Sequence, residues 1–596
     1  MQPESTPQEF YRTRLGERAV EVQRLEARKT TLGYVRLVTV AAVLACIWGA
    51  IKTQTPAWLT VIPVLVFIGL VWKQSKVERA AEVVRRAIRF YERGVARVEH
   101  RWQGGGEAGD RFLDAHHPYA SDLDLFGRGG LFELLSTART RGGEAKLADW
   151  LRGRSQIDEL RARHAAVTEL RPLLDLREQL AVIGEDVRAG VNPDHLKNWA
   201  AVRATPFPTW MRLTALSLAI LSAAMLVWWF ATGFIGIEAR RAVLVIGLLD
   251  GAFALSVRAR VLGIIFAIHE PAHDLDRFAE ILAVIESHQF QSERLRTLRA
   301  AVGADAEPAS RSIARLRRWM ELLDSRDNVF LRIFGPPLLW TTQLAMAVEN
   351  WRAKHGPFVA AWLDAVSEIE ALAALANYAY EHPTDPFPVF VEGAVFDGEA
   401  LGHPLLPDDR CVRNSVSLRE PVRLMVISGS NMSGKSTLLR AVGVNAVLAL
   451  AGAPVRAKRL AISAISLGAS IRTMDSLEEG HSRFMAEILR LKQILELPQP
   501  ALFLLDELLH GTNSHDRAIG AEGLIRALIA RGAIGLASTH DLSLATVADS
   551  MAPAGINVHF DDRLEDGKLV FDYSMKPGVV DRSNALDLMR AVGLDV

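Results

Sequence analysis

The residues from Gly429 to Thr437 have the types and spacing of a loop that binds nucleotide phosphates. In the Walker A (P-loop) pattern G-x-x-x-x-G-K-S, glycines let backbone N–H groups converge on phosphate oxygens, and the lysine reaches the terminal phosphates. The serine hydroxyl of the pattern is suited to bind Mg²⁺. The sequence therefore predicts a site for ATP and Mg²⁺ formed by Gly429, Ser430, Asn431, Met432, Ser433, Gly434, Lys435, Ser436 and Thr437.

An acidic pair supplies the second part of this chemistry. The apolar run Ala501–Leu505 predicts a buried parallel strand, and it ends in Asp506 and Glu507. In nucleoside triphosphatases the first acid of such a Walker B pair lies near Mg²⁺, and the second polarises the attacking water. We therefore predict Asp506, with Ser436, as metal ligands and Glu507 as a catalytic residue together with Lys435.

Three further polar residues stand at the ends of predicted elements. The apolar run Ala533–Ala537 ends at His540, where a histidine can contact the γ-phosphate or its attacking water. Asp516 precedes a predicted helix over Arg517–Ala530 and is either part of the site or the N-cap of that helix. Ser482 precedes a predicted helix over Met485–Leu495, where it is suited to bind an anion or to serve as an N-cap.

The elements around these residues predict an α/β domain of the P-loop NTPase class. The loop follows the apolar run Leu424–Ile427 and precedes Leu438–Leu450, which is apolar at helical spacing. Short β-like runs with glycines and prolines begin after His382. We predict an ATPase domain over residues 385–596, preceded by a helical core or lever region over 121–380.

Two apolar helical hairpins interrupt the amino-terminal half. The first, at about 35–72, lies in a helical segment over 1–120, and the second, at about 213–257, interrupts the region 121–380. Only Leu213–Ile237 comfortably reaches the ~20 residues of a bilayer span; the other stretches are short or charged. Flanking arginines and lysines predict that both hairpins enter from the cytoplasm and return there. No cleavable signal peptide is predicted, and the expected location is the inner (cytoplasmic) membrane, multi-pass, with a cytoplasmic ATPase domain; the alternative is a soluble protein with buried core helices.

The charge balance and the cysteine content exclude several classes of function. The chain has 69 Lys and Arg residues against 69 Asp and Glu, so the whole molecule is no general binder of polyanions. Cys46 and Cys411 are its two cysteines, which indicates neither a disulfide framework nor a cysteine-based zinc site and fits a reducing compartment.

The order of these motifs resembles the ATPase of the MutS mismatch-repair family. The segments that carry the resemblance are 429–437, Glu-Gly-His-Ser-x-Phe-Met-x-Glu at 479–487, Leu-Leu-Asp-Glu with Gly-Thr and Asp at 504–516, and Ser-Thr-His at 538–540. Residues 402–406 and 557–559 are also similar to family segments, and residues 131–151 resemble the start of the family's helical core. The resemblance spans about 120–596 and is strongest in the last part of the chain.

The resemblance implies a homodimer with two composite ATP sites and double-stranded DNA as the ligand of the helical clamp. It implies that Ser482 completes the partner subunit's site and that His559 lies near the adenine. It also implies that Asn431 contacts phosphate and that His540 is the switch histidine.

Departures from the family pattern are equally informative. Ser430 and Ser433 replace a proline and a glycine of the usual loop, and residues 410–414 lack the phenylalanine that stacks on the base in repair proteins. The amino-terminal domain that reads mismatches is expected to be missing, with the first predicted membrane hairpin in its place. The chain is therefore expected to be a membrane-associated branch of the family, and mismatch recognition does not carry over.

Two other functions stay open from sequence alone. One is the ATPase of an ABC transporter, but 479–482 is not the Leu-Ser-Gly-Gly-Gln signature, and the interval from Lys435 to Asp506 is too short for a transporter's helical subdomain. The other is a mechanical or scaffolding protein that uses ATP without binding nucleic acid. Arginines 311, 315, 317 and 318 could contact DNA phosphates or form a solvated helix face.

Overall fold

A computed structural model describes residues 6–52, 56–188, 193–233, 236–303, 307–325, 329–430, 432–471, 483–509, 514–540, 543–565 and 568–579. The chain divides into two compact units. The first comprises residues 1–137, 145–178 and 371–596, and the second comprises 138–144 and 179–370.

The described part of the chain before residue 382 is helical. Its α-helices are α1 (Pro7–Lys52), α2 (Val61–Val98), α3 (Leu131–Leu135), α4 (Arg141–Arg152), α5 (Ile157–Leu170), α6 (Leu174–Arg188), α7 (Pro193–Ala201), α8 (Thr209–Ala231), α9 (Ile237–Ser287), α10 (Glu293–Val302), α11 (Ala309–Asp324), α12 (Val329–Phe334) and α13 (Trp340–Glu381). The predicted strand-free region at about 120–380 is confirmed for the residues that the structure describes. Apolar side chains at helical spacing explain this: in α5, Leu160, Val167 and Leu170 are fully buried.

Strands and helices alternate in the carboxyl-terminal part. The strands are β1 (Val389–Phe390), β2 (Phe396–Leu401), β3 (Asn414–Leu418), β4 (Leu424–Ser428), β5 (Arg459–Ile462), β6 (Ser466–Ser470), β7 (Ala501–Asp506), β8 (Ile534–Thr539), β9 (Gly555–Glu565) and β10 (Lys568–Pro577). The helices are α14 (Lys435–Ala451), α15 (Arg483–Leu495), α16 (Ser514–Ala530) and α17 (Ser543–Ser550). Each predicted strand and helix around the loop is therefore present, with ends shifted by a few residues.

The ten strands found among the described residues form two sheets, of which the larger positions the candidate site. Its order is β10-β9-β4-β8-β7-β6, and all neighbours except β10 and β9 pair in parallel. Every residue of β4 is buried, as is typical of a central strand covered on both faces. Parallel pairing brings the carboxyl ends of β4, β7, β8 and β9 to one edge. The smaller sheet has the order β1-β5-β2-β3.

Among the residues that the structure describes, four helices are long and apolar enough to cross a membrane, judged by length and composition alone. They lie within Pro7–Lys52, Trp58–Val98, Thr209–Ala231 and Ile237–Ile268, and their most apolar windows are almost unburied. The three stretches that are short or charged in the sequence each belong to a longer helix, and one of them carries Asp250. Leu213–Ile237 is also not one helix: α8 ends at Ala231, and Gly233 has a φ of +63° before α9 begins.

Candidate functional site

The loop after β4 is shaped by two glycines with positive φ. Gly429 has φ +151°, and a Cβ there would lie 2.9 Å from Oγ of Ser433 and 3.0 Å from the carbonyl oxygen of Phe560. Gly434 has φ +108° and is the residue that precedes α14. Glycine tolerates these conformations without steric cost. The chain can therefore turn tightly from a buried strand into a buried helix whose first N–H groups have no partner within the helix.

The lysine of the loop is folded back over the loop's own backbone. Nζ of Lys435 donates hydrogen bonds to the carbonyl oxygens of Gly429 at 2.7 Å and Ser430 at 2.8 Å. Its side chain is only 4% exposed. Burial lowers the pKa of Lys435, an effect that the carboxylates of Glu507 and Asp506 oppose. The ammonium thus stands in a buried environment where a further anion would be strongly attracted.

Glu507 of the acidic pair lies near both that lysine and His540. Oε1 of Glu507 lies 3.9 Å from Nζ of Lys435 and 3.6 Å from Nδ1 of His540. Glu507 follows β7 with φ +48°, a conformation uncommon for a residue with a side chain. Its backbone N–H donates to the carbonyl oxygen of Ser538 at 3.2 Å, which holds that turn against β8. Three residues from the ends of different elements therefore meet at one edge of the sheet.

Asp506 is held by Ser538, which was not predicted as a site residue. The hydroxyl of Ser538 donates a hydrogen bond to Oδ1 of Asp506, and the two residues are direct partners in the β7–β8 ladder. Such a bond fixes the orientation of a carboxylate that would bind a metal. The Ser-Thr-His ending of β8 contained the signal, since its serine faces the neighbouring strand end.

A cavity of about 770 Å³ opens beside the loop. Met432, Gly434, Lys435, Ser436 and Thr437 line it from the loop side together with Glu507. The rest of the lining includes residues 409–412 with Asn414, and two aromatic residues, Phe560 and Tyr573. A cavity of this size is in the range of small-molecule sites, about 300–1,000 Å³.

The aromatic lining of the cavity comes from two residues that the sequence did not single out. His559 is the ladder partner of Ser428 at the base of the loop, yet its ring contacts the carbonyl of Gly578 at 3.1 Å and Asp561 at 3.2 Å. Among the described lining residues, Phe560 and Tyr573 supply the aromatic surface. Asn414 supports Tyr573: its Nδ2 donates to the Tyr573 carbonyl at 3.0 Å.

The remaining predicted residues are Asn431, Ser482 and Asp516. Asn431 and Ser482 lie outside the described residues. Asp516 is exposed in the first turn of α16, which begins at Ser514. Asp516 is therefore not the N-cap of that helix, although a carboxylate in a first turn is favourable to the helix dipole.

Two buried serine hydroxyls make the loop suited to phosphate. Oγ of Ser430 and Oγ of Ser433 are buried, and neither has a hydrogen-bond partner within the described ranges. A buried hydroxyl without a partner costs about 1–3 kcal/mol. Phosphate oxygens would accept both hydrogen bonds, so these departures from the usual loop add donors to it.

A segment that follows the first hairpin, residues 122–124, contacts the edge of this α/β domain. The carboxylate of Asp122 accepts a hydrogen bond from the backbone N–H of Ile471 at 2.7 Å, directly after β6. Asp124 lies 3.5 Å from the guanidinium of Arg440 in α14. The segment therefore contacts the helix that follows the loop and the strand that leads toward Ser482.

Comparisons with known proteins match the carboxyl-terminal part of the chain to one family. The family model of MutS domain V matches residues 425–595. The chain is 30% identical over 269 residues to the DNA mismatch repair protein MutS of Brevibacillus brevis, covering 44% of this chain and 31% of that protein. It is 32% identical over 201 residues to Endonuclease MutS2 of Thermus thermophilus, covering 32% and 25%. It is 32% identical over 241 residues to the DNA mismatch repair protein MutS of Natronomonas pharaonis, covering 39% and 27%. The chain thus spans about a quarter to a third of the length of these relatives.

Proposed function

We propose, from its membership in the MutS family, that this chain is a membrane-anchored ATPase that couples ATP hydrolysis in a dimer to a helical clamp. The observation that carries the proposal is the meeting of Lys435, Glu507 and His540 beside the loop, with Glu507 at 3.9 Å and 3.6 Å from the other two. The range matched by MutS domain V, 425–595, contains all three residues. The proposed ATPase domain is residues 385–596.

The chain's own residues suggest how hydrolysis would proceed. Lys435 would exchange its bonds with the carbonyls of Gly429 and Ser430 for bonds with the terminal phosphates. Glu507 would orient and polarise the attacking water, and His540 would sense the γ-phosphate. Backbone N–H groups of residues 432–437 would bind phosphate oxygens at the start of α14.

The metal proposed for this site is Mg²⁺. Ser436 lines the cavity, and Asp506 is oriented by Ser538, so these two side chains would hold the ion. Bound Mg²⁺ would supply neutralisation of the phosphate charge. An arrangement of few protein ligands suits a metal that usually retains several waters and binds with substrate phosphates.

The base of the nucleotide would lie against the aromatic side of the cavity. Tyr573 is 43% exposed there, and its Cδ1 would lie 3.2 Å from a Cβ at Gly434. We propose that Tyr573 provides the stacking surface that residues 410–414 lack. His559 would support the turn beneath the base through its contact with Gly578.

The dimer and the membrane complete the proposal. Ser482 would reach the partner subunit's nucleotide, and Asp516 would lie at that shared site. The four long apolar helices would insert as two hairpins, one within 1–120 and one within 121–380. Positive residues at their bases would keep the ATPase domain in the cytoplasm at the inner membrane.

DNA is the proposed ligand of the helical region, and a DNA-free scaffold is the second candidate. The printed names of two of the relatives describe DNA mismatch repair proteins. The scaffold is favoured by one observation: Arg315 pairs with Glu307, and Arg317 lies 3.2 Å from Asp276. Two of the four arginines proposed for phosphate contact are therefore already neutralised within the helical unit.

Measurements of ATP turnover test the proposed ATPase activity. Lys435→Ala is expected to abolish hydrolysis by the detergent-solubilised full chain, because no other described lysine lines the cavity. Lys492→Ala is the matched control, since its side chain is 66% exposed and pairs only at the surface with Glu496 at 3.8 Å. Unchanged turnover in Lys435→Ala would contradict the proposed site.

The salt dependence of DNA binding distinguishes a DNA-binding clamp from a scaffold that binds no DNA. If DNA binds the clamp, affinity for duplex and branched DNA is expected to fall steeply with salt and to change with ATP. Binding that is absent, or insensitive to both salt and ATP, would reject DNA and favour the scaffold.

Extraction of membranes with alkaline carbonate tests whether the chain is inserted in the bilayer. The chain is expected to remain in the membrane pellet.

A further inference from the structure

A second cavity, of about 600 Å³, lies in the helical unit against the second apolar hairpin. Its lining comes from α8, α9 and the segment from α12 to the start of α13. Most of the lining is apolar, including Met225, Ile246 and Leu339. The nucleotide site does not use this cavity, since all of its lining residues lie between 222 and 342.

A buried carboxylate stands in its wall. Asp250 of α9 is 4% exposed, and its Oδ2 accepts a hydrogen bond from the hydroxyl of Ser222 in α8. Its Oδ1 is buried without a hydrogen-bond partner in the described part of the chain. Ionisable residues within membrane helices are costly and are found at functional sites. The second oxygen thus requires a donor that the described residues do not supply.

A side chain with a charge opposite to that of Asp250 also lines this cavity. Arg332 of α12 lines it, but donates no hydrogen bond to Oδ1 of Asp250. Thr341 and Thr342 add hydroxyl groups to the lining. The wall therefore presents one anion, one cation and hydroxyl groups within an apolar surface. A ligand that complements it has an ammonium group, a phosphate and an apolar portion.

We propose that this cavity binds phosphatidylethanolamine, with the ammonium group on Asp250 and the phosphate on Arg332. The lipid's ammonium group would donate the hydrogen bond that Oδ1 of Asp250 lacks. Its acyl chains would pack along Met225, Leu226 and Ile246 and continue into the bilayer. The proposal rests on the proposed insertion of α8 and α9 in the membrane. It adds a lipid as a specific ligand of the helical unit.

The test measures lipid retained by the purified full chain. Protein is incubated with micelles containing phosphatidylethanolamine or phosphatidylglycerol with identical acyl chains, then washed, and bound lipid per protein is quantified by mass spectrometry. The wild-type chain is expected to retain phosphatidylethanolamine over phosphatidylglycerol, which has no ammonium group. Asp250→Asn and Arg332→Gln are each expected to lower its retention roughly tenfold or more, the effect of losing a hydrogen bond to a charged group.

Matched controls use the same substitutions at sites outside the cavity. Asp364 pairs with Lys197 at 2.6 Å, and Arg241 pairs with Glu238 at 3.1 Å. Asp364→Asn and Arg241→Gln are expected to retain the lipid as the wild-type chain does. Full retention in Asp250→Asn, or equal retention of both lipids by the wild-type chain, would overturn the proposal.

A second measurement is independent of substitutions at Asp250. Trp340 lines the cavity, so phosphatidylethanolamine with brominated acyl chains is expected to quench its fluorescence. The Trp340 signal is the difference between the wild-type chain and Trp340→Phe. Absence of quenching in that difference would overturn the proposal. ATP turnover, measured on the same samples, distinguishes this failure from failure of the ATPase, because the two sites share no residue.

Discussion

Nζ of Lys435 lies 3.9 Å from Oε1 of Glu507, so the cation of the loop and the acid after β7 partly neutralise each other. The same carboxylate oxygen is 3.6 Å from Nδ1 of His540. Burial lowers the pKa of Lys435, and the negative charge of Glu507 opposes that change. In the proposed site, binding of a triphosphate at Lys435 would thus free Glu507 to act on water.

Substituting Glu507 is expected to separate binding from hydrolysis. Glu507→Gln removes the charge that competes with phosphate for Lys435, so ATP binding should be equal or tighter while turnover is lost. Titration with a fluorescent ATP analogue and a phosphate-release assay measure the two quantities. Glu496→Gln, at an exposed side chain, is the control and should change neither. Loss of both binding and turnover in Glu507→Gln would contradict the assigned role.

Ser538 is predicted to matter through Asp506. Ser538→Ala removes the hydroxyl that donates to Oδ1 of Asp506. Loss of such a supporting bond typically costs about 10–100-fold in metal affinity or activity. We expect the Mg²⁺ concentration for half-maximal ATP turnover to rise by that order, while Ser538→Thr retains a hydroxyl and most of the affinity. An unchanged Mg²⁺ requirement in Ser538→Ala would show that Asp506 does not need this bond.

Tyr573 is predicted to hold the base. Tyr573→Ala removes an aromatic side chain that is 43% exposed in the cavity lining. Stacking of one base on an aromatic side chain contributes roughly 1–3 kcal/mol, so KM for ATP should rise about tenfold with little change in kcat. Tyr573→Phe keeps the ring and should keep KM. An equal KM in all three proteins would place the base elsewhere.

Glu370 in α13 is predicted to make stability depend on pH. Its carboxylate accepts hydrogen bonds from the backbone N–H groups of Arg139 at 3.1 Å and Thr140 at 3.3 Å, and from the Thr140 hydroxyl. Burial raises the pKa of Glu370 to about 7, and the neighbouring Glu144 adds to the increase. The folded chain therefore holds a proton that the unfolded chain, with a pKa of about 4.3, releases.

The stabilisation of the folded chain by the proton on Glu370 is fully present below pH ~4.3. It is lost as the pH rises through about 7. The wild-type free energy of unfolding should fall over this window relative to Glu370→Gln, by at most on the order of 3 kcal/mol. The glutamine imitates the protonated acid and does not titrate. Melting temperatures of both proteins from pH 5 to 8 measure the difference, and a constant difference would refute the prediction.

Local sequence was sufficient to predict the elements around the site. Apolar runs predicted strands β4, β7 and β8, and helical spacing predicted α14, α15 and α16, because these patterns depend only on which face of an element is buried. The loop was predicted since its glycines encode backbone conformations directly, as the positive φ values of Gly429 and Gly434 confirm. Helices α1, α2 and α9 extend beyond the apolar stretches of the hairpins, since charged residues continue a helix beyond its apolar part.

The sequence by itself determined which residues carry charge, where the chain turns and which segments are apolar. Only the tertiary structure decided that Ser538 holds Asp506, that Glu507 lies between Lys435 and His540, and that Asp250 faces a cavity. The physical reason is that backbone conformation and burial pattern are local properties of the chain. Distances between side chains on separate strands or helices depend on pairing register and packing, which join residues far apart in sequence.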